Sequence, residues 1–496
     1  MFPSWFSLQP CGGKSVVLEL VSSGLVSLWF KMAHVPQPVN PDSLLASWNT
    51  PGLVFSTQPD PAGEATVKQY LQGLSTTGLP ETSQGVWVQA GFNLLANHQG
   101  TQPLPAASLT KVATSLAALE IWGPDHQFDT LIGATGPIQN GVLQGDLVIQ
   151  GNNDPFFVWE EAIALGNTLN RMGIRQVTGS LIITGSFAMN YETDPFLAGT
   201  MLKEALNAKV WTEEVKEQYL NLPKGTPQPQ VAIAGDVKVA TLPIPKQIAL
   251  LRHQSLPLAQ ILKQMNIYSN NAMAEMLAAS VGGAPVVAAQ AAKAAGVPQA
   301  EIHLVNGSGL GPENQISPRA VCAMFMAIEN YLRPQQMTVA DLFPVSGLDG
   351  GTLAARNIPS AAVVKTGTLA DVSALAGALP TRDRGLIWFA ILNRGTDLEG
   401  LRDRQDQLLQ NLLQQWGVAQ VVPPDVTPSA AVSSNTSGDV PLNFAAEASG
   451  SKPTTTQFLG TETAASPASA AQNASTHKQF RLGDDLRNEV LFKVQA

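Results

Sequence analysis

Ser108 and Lys111 are the first pair in this sequence whose types and spacing suggest chemistry. They lie in Pro105-Ala106-Ala107-Ser108-Leu109-Thr110-Lys111, which runs into the apolar segment Val112–Leu119. Apolar residues at 109, 112, 113, 116 and 119 follow helical spacing, and the absence of charge from 112 to 119 predicts a helix buried on most sides. Three residues is nearly one helical turn, so the hydroxyl and the amine share a face. At a helix start, free N–H groups and the dipole favour developing negative charge. A serine there with an amine in reach is a candidate nucleophile and base. The alternative is an N-cap serine beside a solvated lysine, and Ser449/Lys452 and Ser475/Lys478 show that the spacing recurs by chance.

Two further elements decide between these readings. Ser269-Asn270-Asn271 is a Ser-x-Asn element interrupting an apolar helical pattern. It too has matches elsewhere, at Ser47/Asn49 and Ser433/Asn435. Lys365-Thr366-Gly367-Thr368 is rarer: Lys-Thr-Gly occurs once, at the end of an apolar strand pattern. The three stand in the order Ser-x-x-Lys, Ser-x-Asn, Lys-Thr-Gly, with 161 residues from Ser108 to Ser269 and 96 from Ser269 to Lys365.

Other chemistries lack support. The six histidines are scattered and form no zinc-type spacing, so no metal or other cofactor is expected. No phosphate-binding glycine loop or Gly-x-Ser-x-Gly elbow is present. Asn306-Gly307-Ser308-Gly309-Leu310-Gly311 reads, by itself, as a tight turn needing positive φ. A formal charge of −9 without a basic block argues against nucleic-acid binding. Cys11 and Cys322 make no disulfide framework.

The ordered trio resembles the active-site signature of penicillin-recognising serine enzymes. Pro105–Ser108, Gly145-Asp146-Leu147-Val148, Asn306–Leu310, Leu348-Asp349-Gly350-Gly351-Thr352-Leu353, Lys365–Leu369 and Val372–Gly377 narrow it. Together they resemble the D-alanyl-D-alanine carboxypeptidase/endopeptidase family, the class C low-molecular-mass penicillin-binding proteins, over about residues 80–416. Two departures stand out. The 161-residue interval is short for members with two nested accessory domains, so one inserted lobe is expected. Asn270 stands where Asp is common, with Ser269 and Asn271 expected to carry the roles.

The resemblance implies a serine-type D-Ala-D-Ala carboxypeptidase or endopeptidase acting on peptidoglycan stem peptides and acylated by β-lactams. Ser108 would attack the carbonyl and Lys111 take its proton. Asn271 would orient Lys111, and Ser269 relay a proton to the leaving amine. Lys365 and Thr366 would bind the substrate carboxylate, with Gly367 and Thr368 completing the binding strand. Ser108 and Thr368 N–H groups would form the oxyanion hole. A lysine acting as base needs a pKa far below its usual 10.4 or so; burial and the nearby cation Lys365 are expected to lower it. The absence of a Glu-x-x-Leu-Asn element after Ser269 speaks against a class A β-lactamase. The rivals are a non-catalytic binding protein of the same fold and a β-lactamase or esterase.

The elements that position these residues are legible from periodicity. The expected fold is multi-domain α+β: an antiparallel sheet with helices on both faces and one inserted α+β lobe. Residues 1–35 are a candidate export signal, with the apolar run Val16–Phe30 after Lys14 but Glu19 within it. Residues 36–124 and 249–420 form the two parts of the main domain, around a lobe at 125–248. A helix near 64–74 and a hairpin of 86–89 with 93–96 precede Ser108. In the lobe, strands are expected at 129–132, 145–149, 179–184 and 231–239, with helices at 159–172 and 201–221. Ser255-Leu256-Pro257 reads as a helix start capped by Ser255. Segments 361–365, 372–379 and 386–392 suggest neighbouring antiparallel strands, and 400–416 a closing helix. Residues 421–496 read as a low-complexity, disordered tail, so a chain ending near 420 is expected to fold, although 479–494 regains apolar residues suited to docking. A peptidoglycan substrate implies a periplasmic or cell-envelope location, with peripheral membrane contact through the N-terminal segment.

Overall fold

A computed structural model of the chain describes residues 59–241, 244, 247–429 and 481–492. The candidate export signal at 1–35, the proline-rich stretch up to 58 and the segment 430–480 lie outside the described residues.

The central element is a five-stranded antiparallel sheet. Its order is Val363–Leu369, Val372–Thr381, Gly385–Arg394, Gln84–Ala90 and Asn93–His98. Side chains alternate across such a sheet, and the alternation here assigns two cores. Ala374, Ala376 and Ala378 face one core; Leu375 and Leu379 face the other. Helices Pro61–Ser75 and Leu398–Trp416 cover the second face with Val67, Leu71, Leu74, Leu408, Leu412 and Trp416. Helices Thr110–Trp122, Asn271–Val281, Ala284–Ala295 and Pro318–Leu332 share the first core. Every residue from Thr110 to Leu119 is buried, as the charge-free sequence predicts. The hairpin is tighter than expected. Gly91, at φ 52°, and Phe92 alone join its strands, which suits a residue without a Cβ.

A separate apolar core forms from residues between Ile132 and Leu251. It lies between helices Trp159–Arg171, Pro195–Ala205 and Glu213–Leu220 and two mixed sheets. The larger sheet runs Val237–Ala240, Leu181–Ser186, Leu147–Asn152, Asp129–Ala134, Ile248–Gln254 and Asn488–Val490. Four sequence expectations need correction here. The helix expected over 201–221 is two helices, because Asp194 caps a start at Pro195 and extended Asn207 breaks the chain. The strand expected over 231–239 is Ala232–Ile233 and Val237–Ala240. They are split at Gly235, where a Cβ would meet Gly179 O at 2.6 Å. The division at 248/249 cuts the head of strand Ile248–Gln254, which pairs antiparallel with Asp129–Ala134. Ser255 caps no helix: its Oγ accepts from Phe128 N at 2.8 Å, and helix Leu258–Tyr268 begins after Pro257.

The tail expected to be disordered over 421–496 is corrected at its start, and at its end, within the 479–494 segment expected to suit docking, residues 487–490 do dock. Val426 is buried in the first core, and Ser429 N and Oγ donate to Asp341 Oδ1 at 2.7 and 2.9 Å. Asn488–Val490 adds an antiparallel edge strand against Leu251–His253. Arg487 is buried and ion-paired with buried Glu161, and its Nη1 donates to Gln254 O at 2.9 Å. Asn488 Nδ2 donates to Thr168 Oγ1 at 3.0 Å. Composition signals the docking through the apolar residues of 479–494 but not its anchors, which are two polar side chains with buried partners far away in sequence. Removing residues 481–496 would leave the Glu161 carboxylate buried without its cation. Urea unfolding of such a truncation should show a loss of roughly 3–5 kcal/mol, the range for breaking a buried pair from one side. Unchanged stability would mean the segment is not held there in solution.

Candidate active site

The nucleophile candidate sits on a strained turn. Ala107 has φ 46°, an unusual value for a residue with a Cβ, and Ala107–Leu109 forms a single 3-10 turn leading into helix Thr110–Trp122. Two glycines let backbone pass close to this turn. A Cβ on Gly309, at φ 85°, would lie 1.9 Å from Ala107 O; one on Gly367 would lie 3.1 Å from Ser108 N. The turn is thus clamped between the 306–311 loop and the Lys365–Thr368 strand.

Lys111 lies one turn further on and is fully buried. Its Nζ donates to Ser108 Oγ at 3.0 Å, Asn271 Oδ1 at 2.8 Å and Ser308 O at 2.9 Å. All its donors are therefore directed, and the amine is held against the hydroxyl. Burial lowers the Lys111 pKa to about 7, against the opposing pull of the Glu275 carboxylate. Lys365 is also fully buried, and its Nζ donates to Ser269 Oγ at 3.0 Å and Thr366 O at 2.8 Å. Burial, and then the charge of Lys111, push its pKa well below the usual lysine value. The cation expected to depress Lys111 is thus itself depressed by it; burial is what lowers Lys111.

The Ser269–Asn271 break positions two of these partners. Ser269 ends helix Leu258–Tyr268 in the left-handed conformation, φ 55° and ψ 39°. Asn270 Oδ1 then accepts from Met273 N at 2.9 Å, capping helix Asn271–Val281. Asn and Asp are comparable caps, which accounts for Asn at 270. The reversal turns Ser269 toward Lys365 and Asn271 toward Lys111.

All eight residues singled out from sequence gather around this turn: Ser108, Lys111, Ser269 and Asn271 by direct hydrogen bonds with the lysines, Lys365 through Ser269, and Thr366, Gly367 and Thr368 on the adjoining strand. Thr366 is buried and Thr368 is exposed at the strand end. Its Oγ1 accepts from Arg402 Nη2 at 3.1 Å.

Reading the sequence missed two contributors. The 306–311 loop is more than a turn, since Ser308 O is an acceptor for Lys111. Glu275, one turn after Asn271, accepts from Gly307 N at 3.0 Å and Ser308 N at 2.9 Å and so fixes that loop. Four-residue spacing from Asn271 placed Glu275 on the same helix face, the one available signal. The same helix also borders a cavity of about 310 Å³, lined by Asn153, Asp154, Ser186, Phe187, Met276 and Ser280 among others. Among the described residues no group of three or more His, Cys, Asp or Glu side chains is arranged to hold a metal.

The arrangement can activate a hydroxyl beside the open edge of the Lys365–Thr368 strand, and comparison with known proteins places it. The model of the D-Ala-D-Ala carboxypeptidase 3 (S13) family matches residues 74–198 and 203–415. A D-alanyl-D-alanine carboxypeptidase of Actinomadura sp. (strain R39) is 26% identical over 412 residues, covering 62% of this chain and 76% of that protein. The D-alanyl-D-alanine carboxypeptidase DacB of Haemophilus influenzae is 23% identical over 410 residues, covering 62% of this chain and 85% of that protein. In fold, the penicillin G-acylated endopeptidase Bd3459 of Bdellovibrio bacteriovorus superposes with a TM-score of 0.60 at 22% identity. That match covers 68% of this chain and 94% of Bd3459. Penicillin binding protein 4 of H. influenzae superposes with a TM-score of 0.54 at 19% identity, over 70% of this chain and 99% of that one. With the family model matched across more than half of its length, and the order and geometry of its motifs as described, the chain belongs to the D-Ala-D-Ala carboxypeptidase 3 (S13) family of penicillin-binding serine peptidases.

Proposed function

We propose that this S13 peptidase cleaves D-Ala-terminated stem peptides of peptidoglycan through an acyl-enzyme on Ser108. The observation that carries the assignment is the buried Lys111 amine, 3.0 Å from Ser108 Oγ and lowered to about 7. At neutral pH a large share of Lys111 is uncharged and can accept a proton. Ser108 Oγ attacks the carbonyl carbon, and its proton passes to Lys111 Nζ. The oxyanion is met by the N–H groups of Ser108 and Thr368, supported by the approach of the Gly367 strand to Ser108 N. Ser269, bonded to Lys365, lies on the route by which a proton returns to the leaving amine. The C–N bond breaks, the terminal D-alanine leaves, and water hydrolyses the ester by the same proton path. Asn271 orients Lys111 throughout.

A peptidoglycan substrate lies outside the cytoplasmic membrane, so export to the cell envelope follows from this reading, with the apolar run Val16–Phe30 as its signal and a point of peripheral membrane contact. The acidic balance of the chain supports the absence of nucleic acid among its partners.

Incubation with penicillin should add the mass of one β-lactam, mapping to Ser108, and a pentapeptide muropeptide should release D-alanine. Ser108→Ala should abolish labelling, and Lys111→Ala should slow acylation by roughly 10²–10⁴-fold. Binding of the muropeptide without product would favour a non-catalytic role, and fast repeated penicillin hydrolysis a β-lactamase.

The electrostatics give a second expectation. Protonated Lys111 cannot act as base, so the acylation rate should fall as pH drops through about 7. The Glu275 charge favours the protonated form, and Glu275→Gln removes it. The acid limb of the rate profile should therefore move to lower pH in that variant. A limb that stays put, or moves up, would show that Glu275 does not set the charge of the base.

A further inference from the structure

We propose that Arg487, on the docked C-terminal segment, is a positioning residue for peptide substrates: by tying helix Trp159–Arg171 to the point where the chain crosses between main domain and lobe, it holds the lobe wall of the cavity beside helix Asn271–Val281. The inference rests on the Ser108 acyl-enzyme reading and deepens it. Arg487 touches no reacting atom and acts through Glu161 and the backbone of Gln254. The crossing itself is compact. Ser255 N donates to Phe128 O at 2.9 Å, Phe128 N to Ser255 Oγ at 2.8 Å and Gln127 Nε2 to Ser255 O at 2.6 Å. Phe128 and Leu256 are buried in the first core, while the lobe's own core runs from Ile132 to Leu251. Arg487 bridges the two sides. Its Nη1 donates to Gln254 O at 2.9 Å, and its Nη2 pairs with Glu161 in the first turn of helix Trp159–Arg171. That turn follows closely on Asn153 and Asp154, which line the cavity, and on Phe156 and Val158, which pack into the first core.

The rest of the segment fixes Arg487 in turn. Its Nη2 also donates to Arg481 O at 3.0 Å, Gly483 N donates to Glu161 Oε1 at 3.2 Å, and Leu482 packs against the first core. The ion pairs Arg171–Asp485 and Arg252–Glu489 lie at the surface and add little. Among the described residues Glu161 has no second charged partner. His253 Nε2 lies 3.7 Å from its Oε2, but burial lowers the His253 pKa to about 4, so the ring is neutral at pH 7. The opposite wall of the cavity, Met276 and Ser280, belongs to the helix that begins at Asn271. At 1.5 Å per residue these two lie about 8 and about 14 Å along the helix from Asn271. An extended peptide advances about 3.3 Å per residue, so three or four residues of a stem peptide cover that distance. Penicillin has no such length. A shift of the lobe wall therefore disturbs the peptide and leaves the Ser108 turn, whose walls belong to the main domain, as it was.

The test compares two acyl donors in the full-length protein: penicillin, followed as the acylation rate, and a pentapeptide muropeptide, followed as kcat/KM for D-alanine release. Arg487→Gln should leave the penicillin rate unchanged and lower kcat/KM for the muropeptide roughly 10- to 100-fold, the scale of loss from a misplaced reactant. Amide hydrogen exchange should rise over residues 153–165 and stay the same over 110–119. Glu161→Gln/Arg487→Gln leaves no buried charge unpaired, so its thermal stability should recover; its muropeptide turnover should not, because the tie to Gln254 O is still missing. Recovery of both together would mean that Arg487 only balances the Glu161 charge. An equal loss with the two donors would assign the segment a general role in folding, and no loss with either would assign it none; each of these overturns the proposal. A wild-type protein that takes up no penicillin and releases no D-alanine would instead overturn the Ser108 reading, a different outcome from a variant that loses the muropeptide alone.

Discussion

The structure depends on keeping the Lys111 amine out of water. A charged ammonium in that position would carry a large desolvation cost, and the cost is reduced when the group gives up its proton. The surrounding atoms are consistent with this: Asn271 Oδ1 and Ser308 O can take the two N–H groups of a neutral amine, leaving its lone pair to the Ser108 hydroxyl at 3.0 Å, and among the described residues no carboxylate bonds to it. The nearest opposing influence, Glu275, acts through charge and spends its oxygens on the Gly307 and Ser308 N–H groups. A direct ion pair would have favoured the protonated form and disabled the base.

Much of the fold follows from this requirement. Excluding water needs close walls, and these are made of small residues: Ala106 and Ala107 before the nucleophile, the alanine face of strand Val372–Thr381, and glycines at 309 and 367 where backbone passes within reach of the turn. The second wall is helix Asn271–Val281, set by the left-handed Ser269 and the Asn270 cap. Lys263 stiffens the helix before it. Its buried Nζ donates to Ala340 O and Phe343 O and pairs with Asp349 at 2.6 Å, tying that helix to the loop that leads back to the Lys365 strand.

The sequence disclosed the chemistry better than the geometry that tunes it. Three short motifs in fixed order are legible because each is a set of side chains that the reaction needs. The alternating Val372–Leu379 strand and the charge-free helix after Lys111 are legible because burial on both faces removes polar residues. Ser308 was not, since its contribution is a carbonyl that every residue possesses. Glu275 reads as one more surface acid until its two backbone partners are seen. The apolar residues of 479–494 pointed to docking, but the anchoring by Arg487 and Asn488 was not legible, because two buried polar contacts leave almost no trace in hydrophobicity. The breaks at Asn207 and Gly235 are set by tertiary contacts, which local propensity does not contain.

The central claim is that Lys111 is a neutral base near physiological pH, and its ionisation is directly observable. In protein carrying ¹³Cε-labelled lysine, the Lys111 resonance can be assigned by its loss in Lys111→Arg and followed from pH 5 to pH 10. A midpoint near 7, well below the ordinary lysine value, is the result that the burial of Lys111 predicts. A midpoint near the ordinary lysine value of about 10.4 would mean that Lys111 stays charged and that another group must activate Ser108.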